Sequence, residues 1–234
     1  MNLIIFLTHN FSEEFLNTLF RVNASVDNSK HKIIVLFDDK NHYDNSIDGK
    51  LTNITIIPIN IINTSYDSKG HSMYINYFKN NYNEITKYEY IWIIENDVYY
   101  PNSFIDFITM HNSYNNDLLV PEYGLRSPNW CWLKSLKGFK NIYEIGVLAV
   151  IVRFSQQCLL KLIDTIDNQY FGYLEVVLPH ICIENDLSIQ QFLPETCGLL
   201  TTDNFSPLME LIKTDIQNNT RKYIENKIYH PIKL

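Results

Sequence analysis

Short apolar runs separated by amphipathic stretches organise the first half of the chain. Leu3-Ile4-Ile5-Phe6-Leu7 is continuously apolar and stops at Thr8-His9-Asn10, the pattern of a buried strand bounded by polar residues. Ser12 stands where a helix N-cap belongs, with Glu13 and Glu14 directly after it. A hydroxyl there accepts an otherwise unmet backbone N–H, and first-turn carboxylates oppose the helix dipole. A helix is therefore expected from Glu13 to about Val22. Lys32-Ile33-Ile34-Val35-Leu36-Phe37, closed by Asp38-Asp39, is the second strand. Asn53 to Ile57 is the third, with Pro58 marking its end, because proline cannot donate to a ladder. Ser72 to about Lys87 is predicted as a helix presenting Met73, Ile75, Tyr77, Phe78, Tyr82 and Ile85 on a mostly apolar face. Tyr90-Ile91-Trp92-Ile93-Ile94 is the fourth strand, apolar throughout as a central parallel strand is, and it runs into Glu95-Asn96-Asp97. Pro101 is expected to open a helix over about Asn102 to His111.

The second half is less regular. Asp117-Leu118-Leu119-Val120-Pro121 reads as a strand, and Gly146 through Arg153 as another, leading into a helix capped at Ser155. A helical stretch covers about Glu175 to Ile183, and helical periodicity returns from Pro207 to Asn226 before the closing Tyr229-His230-Pro231. Strands alternating with helices in this way predict an α/β domain with a mostly parallel central sheet flanked by helices. With 234 residues, no internal repeat and no linker, a single domain spanning the whole chain is expected.

Composition narrows the function classes. Apolar residues make up 46% and charged residues 19%, as in an ordinary globular enzyme. The formal net charge is −7 with no basic run, which argues against binding nucleic acid through its phosphates. An acidic protein holds a nucleotide diphosphate more readily when a divalent cation mediates. Sixteen Tyr and thirteen Phe mostly serve the core, but they also suit stacking on sugars and bases. Cys131, Cys158, Cys182 and Cys197 have no CxxC or metal-ligand spacing and read as scattered reduced thiols. The apolar run at the N-terminus is too short for a signal peptide or a membrane span. A soluble cytoplasmic protein without a transmembrane segment is expected.

The candidate chemistry lies at the end of the fourth strand. Ligands of open α/β sheets bind beyond the carboxyl ends of the strands. Glu95 and Asp97 sit at that edge, directly after five apolar residues. Burying two carboxylates there is costly without a compensating cation, and Mg²⁺ or Mn²⁺ accepts one or two carboxylates while leaving positions for phosphate oxygens. The plainer alternative is a strand end that caps the next helix. Ile183-Glu184-Asn185-Asp186 repeats Ile94-Glu95-Asn96-Asp97 letter for letter, but it follows a predicted helix and reads as a helix exit.

Tyr88 through Val98, with its Glu95-Asn96-Asp97, resembles the D-x-D-bearing strand of GT-A glycosyltransferases, most closely variants in large DNA viruses, plants and bacteria. Ile145-Gly146-Val147 through Val152-Arg153-Phe154-Ser155 is similar to the strand and helix start after the acceptor loop of such proteins. Phe171 through Pro179 resembles their G-x-x-E-x-x-x-P segment, and Tyr229-His230-Pro231 resembles their C-terminal metal-binding histidine. The resemblance implies a GT-A domain, with residues 1–120 as the nucleotide-binding half and 121–234 as the acceptor-side half. It implies Asp97 as principal metal ligand, with Glu95 and His230, for Mn²⁺ or Mg²⁺. Thr8, Asp38 or Asp39, Glu95 and Asn96 would contact the nucleotide. Trp130, Trp132 and Tyr173 would face the sugar or acceptor, and Glu175 would be the catalytic base. Glu95 stands where the commoner pattern has Asp. The implied activity is transfer of a hexose or pentose from a nucleotide sugar, a UDP-sugar by preference, to a hydroxyl acceptor, with inversion. A sugar-nucleotide nucleotidyltransferase and a non-catalytic carbohydrate-binding module are the alternatives; the glycine-free Thr8-His9-Asn10 argues against the former.

Overall fold

The apolar runs form a sheet covered on both faces. A computed structural model describes residues 1–38, 49–59, 69–167, 172–200, 206–218, 220, 222 and 224–232. In chain order the elements are β1 (Asn2–Thr8), α1 (Glu13–Ser25), β2 (His31–Asp38), β3 (Ile54–Ile59), α2 (Lys69–Asn80), α3 (Tyr82–Ile85), β4 (Tyr90–Glu95) and α4 (Phe104–Met110). They continue with β5 (Leu118–Val120), β6 (Tyr123–Leu125), β7 (Ile145–Val147), β8 (Ile151–Ser155), α5 (Gln156–Asp167), α6 (Leu174–Glu184), β9 (Ile189–Gln191), β10 (Cys197–Leu200), α7 (Pro207–Gln217) and β11 (Ile228–His230).

Seven strands make the central sheet in the order β3-β2-β1-β4-β8-β5-β9. The first four positions are parallel, and β8 runs antiparallel between β4 and β5. Two small sheets, β10–β11 and β6–β7, stand apart. Alternate residues of each central strand enter opposite cores. Leu3, Ile5, Leu7, Ile91 and Ile93 join a cluster with residues of α2, α5 and α6. Ile4, Phe6, Trp92 and Ile94 join another with residues of α1 and α4. A strand buried on both sides needs no polar alternation, which is why these segments read as unbroken apolar runs. The result is an α/β fold with a mostly parallel sheet flanked by helices.

Chain order moves outward from β1 through β2 to β3 and then returns to β4 on the other side of β1. That reversal is a topological switch point, where the diverging loops leave a crevice. Register places Leu7 opposite Glu95 and Thr8 opposite Phe37, so the ends of β1, β2 and β4 share one edge.

Several local expectations needed correction. Pro58 lies inside β3, paired with Phe37; β3 is an edge strand, where a missing N–H leaves no ladder bond unmade. The single predicted helix from Ser72 starts at Lys69 and breaks at Asn81 into α2 and α3, and Tyr82 is 47% exposed, off the apolar face. Pro101 does not open α4; Ser103 caps it, accepting the backbone N–H of Ile105. The segment from Gly146 to Arg153 is two strands in different sheets, β7 and β8. Ser155 does cap the start of α5, its Oγ accepting the N–H of Cys158 at 3.1 Å. Helix α7 ends at Gln217 rather than running to Asn226.

All four cysteines are free; Cys158 and Cys182 are buried with their sulfurs 3.9 Å apart. Among the described residues no helix is long and apolar enough to cross a membrane.

Trp92 anchors the core behind the acidic edge. It is fully buried, stacks on Phe192 at 5.9 Å and meets Phe107 edge-on, and its indole N–H has no partner among the described residues. Trp92→Phe therefore loses no hydrogen bond and is expected to cost under about 1.5 kcal/mol, against roughly 3–5 kcal/mol for Trp92→Ala. Urea unfolding of the two variants checks the ordering.

Candidate functional site

Strand β4 ends at Glu95, whose N–H donates to the carbonyl of Val150 at 3.0 Å. The chain then turns tightly, Val98 N–H closing on the Glu95 carbonyl at 3.1 Å. That turn offers the Glu95, Asn96 and Asp97 side chains at the sheet edge, all half-buried. The end of the chain is tied onto it. Tyr99 and Tyr229 exchange two backbone hydrogen bonds of 2.9 Å, and Ile232 N–H donates to the Asp97 carbonyl at 2.8 Å. Strand β11 also pairs with β10, with His230 opposite Leu200.

These contacts bring His230 over the turn. Its Nε2 stands 3.3 Å from Asp97 Oδ1 and 3.7 Å from Glu95 Oε2. One ligand atom from each of the three residues lies within 4.8 Å of the others. The His230 side chain is 9% exposed, Asp97 15% and Glu95 31%. Two carboxylate oxygens and an imidazole nitrogen at a half-buried edge fit a divalent cation of the Mn²⁺ type, and the proximity of two like charges favours one. The donor set predicted from the sequence is thus assembled in space.

Glu175 lies in the first turn of α6 and belongs to the same neighbourhood. Its Oε2 is shut off from solvent with no hydrogen-bond partner among the described residues. Burial pushes its carboxyl up to about 7, while a hydrogen bond from its own backbone N–H and the nearby His230 pull it down. Glu175 and Glu95 both act on the hydroxyl of Tyr74, a buried residue of α2. Burial first, and then those two carboxylates, drive the Tyr74 hydroxyl well above its ordinary pKa. Nothing in the sequence singles out Tyr74. Only the packing of α2 under the sheet edge brings it to the acidic groups.

Thr8 is fully buried at the end of β1, its hydroxyl donating to the Asn10 carbonyl and accepting the Asn10 N–H at 3.1 Å. Asp38 is buried at the end of β2. Both lie on the edge that carries Glu95. Asp39 lies outside the described residues.

The aromatic residues form one wall. The rings of Trp130 and Trp132 are 4.9 Å apart, and Trp132 stacks on Tyr173 at 5.5 Å and 26°. A relay fixes that stack: Ser135 Oγ donates to the Trp132 carbonyl at 2.6 Å and accepts the Tyr173 N–H at 3.1 Å. Gly172 precedes it with φ of 152°, and a Cβ there would meet the Ser135 hydroxyl at 3.2 Å. Gly146 seats Trp130, since a Cβ at that position would come within 2.3 Å of the indole. The tryptophans border a cavity of about 250 Å³ also lined by Glu122, Arg126 and Leu200, and Leu200 is the register partner of His230. One face of Trp132 is occupied by Tyr173, so the indoles are a wall of the cavity rather than free-standing platforms. Arg126 and Glu122 were not anticipated. The second acidic tetrapeptide is a helix exit, with Asn185 capping α6 and Asp186 at φ of 54°.

No family model and no curated protein matches the chain. Solved structures do. The apo form of mouse xyloside xylosyltransferase 1 aligns over 98% of this chain and 96% of its own, with a TM-score of 0.50 and 11% identity. The galactosyltransferase LgtC, in complex with donor and acceptor sugar analogues, aligns over 98% and 86% at a TM-score of 0.49 and 12% identity. The glycosyltransferase GlyE of Streptococcus pneumoniae aligns over 99% and 54% at 0.47 and 12%. The fold is that of GT-A glycosyltransferases.

The buried Glu175 carboxyl has a measurable signature. Its folded pKa of about 7 exceeds the ordinary 4.5, so the native state holds the proton more tightly than the unfolded chain. The stabilising contribution is complete below the ordinary value and is lost as pH rises through 7. Glu175→Gln keeps the neutral form at every pH. In EDTA, its stability relative to wild type is expected to rise from about zero at low pH to at most on the order of 3 kcal/mol above pH 8. Thermal melts across that range check it, and a flat difference contradicts it.

Proposed function

We propose that the chain is a metal-dependent glycosyltransferase that moves a sugar from a nucleotide-sugar donor, a UDP-sugar by preference, to a hydroxyl of an acceptor with inversion. The observation that carries this reading is the convergence of Glu95, Asp97 and His230 within 4.8 Å at the switch point of the sheet. That edge is where a nucleotide diphosphate meets an α/β sheet. A divalent cation held there offsets the charge that develops on a departing diphosphate.

The remaining roles fall to side chains of this chain. Asp97 and His230, the less exposed members of the cluster, would hold the cation together with Glu95. Asn96, Thr8 and Asp38 would serve the nucleoside side of the edge. Trp130, Trp132 and Tyr173 wall the space on the acceptor side. Glu175 takes the proton from the acceptor hydroxyl. The freed oxygen forms a bond to the anomeric carbon as the bond from that carbon to the diphosphate breaks, its electron pair leaving with the diphosphate. A base with pKa near the working pH combines an ionised fraction with real proton affinity, and burial gives Glu175 that value.

UDP together with Mn²⁺ is expected to raise the melting temperature of the wild-type chain, and neither alone to do so comparably, because ligand bound only by the native state stabilises it. Asp97→Ala is expected to abolish that shift and to lower donor turnover roughly 100-fold or more, as loss of several kcal/mol of charge stabilisation requires. Full turnover by Asp97→Ala overturns the reading. The anomeric configuration of the product, read by NMR, tests the inversion separately.

A further inference from the structure

The aromatic cavity contains a charged pair that neither the metal cluster nor Glu175 accounts for. Arg126 Nη1 donates to Glu122 Oε1 at 2.5 Å, and the guanidinium carbon stands 5.2 Å from the centre of the Trp130 ring. The backbone fixes the arginine as well, its N–H donating to the Glu144 carbonyl at 2.8 Å. Glu122 takes a donor at Nη1, and the Arg126 side chain stays 22% exposed, so further guanidinium donors face a ligand. Glu122 is half-exposed, so its carboxylate keeps lone pairs open to an incoming group. Both residues line the cavity of about 250 Å³ with Trp130 and Trp132, close to the lower end of the sizes of small-molecule sites.

Guanidinium donors beyond the one given to Glu122, a carboxylate with open lone pairs and an indole wall together describe a complementary ligand. Neighbouring hydroxyls of a pyranose match the polar pair, one accepting from Arg126 and the other donating to Glu122, while the C–H face of the ring packs on the indole. Charge then selects among sugars. The guanidinium is already countered by Glu122, Glu95 and Asp97 lie beyond Leu200 and His230, and the chain carries a net −7. An anionic sugar entering this cavity meets carboxylates and no uncompensated cation.

We propose that this cavity binds a neutral pyranose and that Arg126 and Glu122 determine its selection over uronic acids and sugar phosphates. That the sugar is the acceptor rests on the transferase reading; that it binds here does not. The pair acts by recognition, Arg126 and Glu122 holding hydroxyls that do not react.

The test is titration of the full chain with the methyl β-glycosides of glucose, galactose and xylose and with methyl β-glucuronide. Binding is followed by tryptophan emission and ligand-observed NMR, in EDTA and again with UDP and Mn²⁺. At least one neutral glycoside is expected to saturate both signals, with the glucuronide about tenfold weaker or worse. Glu122→Gln leaves the guanidinium uncompensated and is expected to shift the glucuronide-to-neutral preference about tenfold toward the glucuronide, a gain that misfolding cannot imitate. Equal or tighter glucuronide binding by wild type, no glycoside binding in either condition, or an unchanged ratio in Glu122→Gln overturns the proposal. Any of these leaves the shift with UDP and Mn²⁺ untouched. Loss of that shift with glycoside binding retained removes the transferase reading and leaves the cavity as a sugar site.

Discussion

The site depends on one electrostatic constraint: two carboxylates are held at the end of a strand buried from Ile91 to Ile94. The backbone that carries Glu95 and Asp97 is fixed, because the Glu95 N–H is bonded to the Val150 carbonyl and the turn closes on Val98. Like charges fixed this close are tolerated only beside something positive. His230 stands over both of them, and an imidazole can answer that demand either as a charged partner or as a co-ligand of a cation. The second answer accounts for the position of the group at the switch point of the sheet, where a phosphate-bearing ligand would need the cation; the first leaves that position unexplained.

The same edge sets the character of the ground around it. Glu175 and Tyr74 are buried polar groups whose environments both disfavour charge, whereas Glu95 and Asp97 lie partly exposed a short distance away. In the proposed division of roles, a proton acceptor kept out of water is separated from metal-binding carboxylates that stay partly wet. The aromatic wall contributes to that separation. Tyr173 adjoins the first turn of α6, and its stack on Trp132 is fastened by Ser135. The position of Glu175 is therefore tied to the ring packing two residues earlier, and Gly172 is the residue that lets the chain enter this arrangement.

What was legible in the sequence followed from burial. β1, β2 and β4 were readable because a strand covered on both faces is apolar at every position, and α1 because Ser12 and its two glutamates mark a helix start. Where the pattern served two purposes at once, it misled. Val147 through Val152 is uniformly apolar, yet the chain changes sheets within it, since apolar character records burial and not partner. Pro58 was misplaced because edge and central strands differ in hydrogen-bond partners, which a single strand does not display. Asp97 and Glu95 stood out by position alone. His230 was credible only through resemblance, and Arg126 and Glu122 not at all, because their meaning arises from the packing of Arg126 on Trp130 and from the pairing of Glu122 with Arg126.

The tail that carries His230 makes the site a matter of tertiary assembly. Its attachments are the exchange between Tyr99 and Tyr229, the bond from Ile232 to Asp97 and the short pairing with β10. A cation held by all three proposed ligands would bind the docked tail and not a detached one, so docking and metal binding would be linked and each would strengthen the other. The linkage extends further, because Leu200 is at once the register partner of His230 and part of the lining of the aromatic cavity. Displacing β11 would remove His230 from the acidic cluster and disturb the strand that contributes Leu200 to the cavity lining. Strand β11 thus joins the acidic cluster to the aromatic cavity, and the sheet edge alone, with Glu95 and Asp97 but without β11, would lack the third of the proposed ligands.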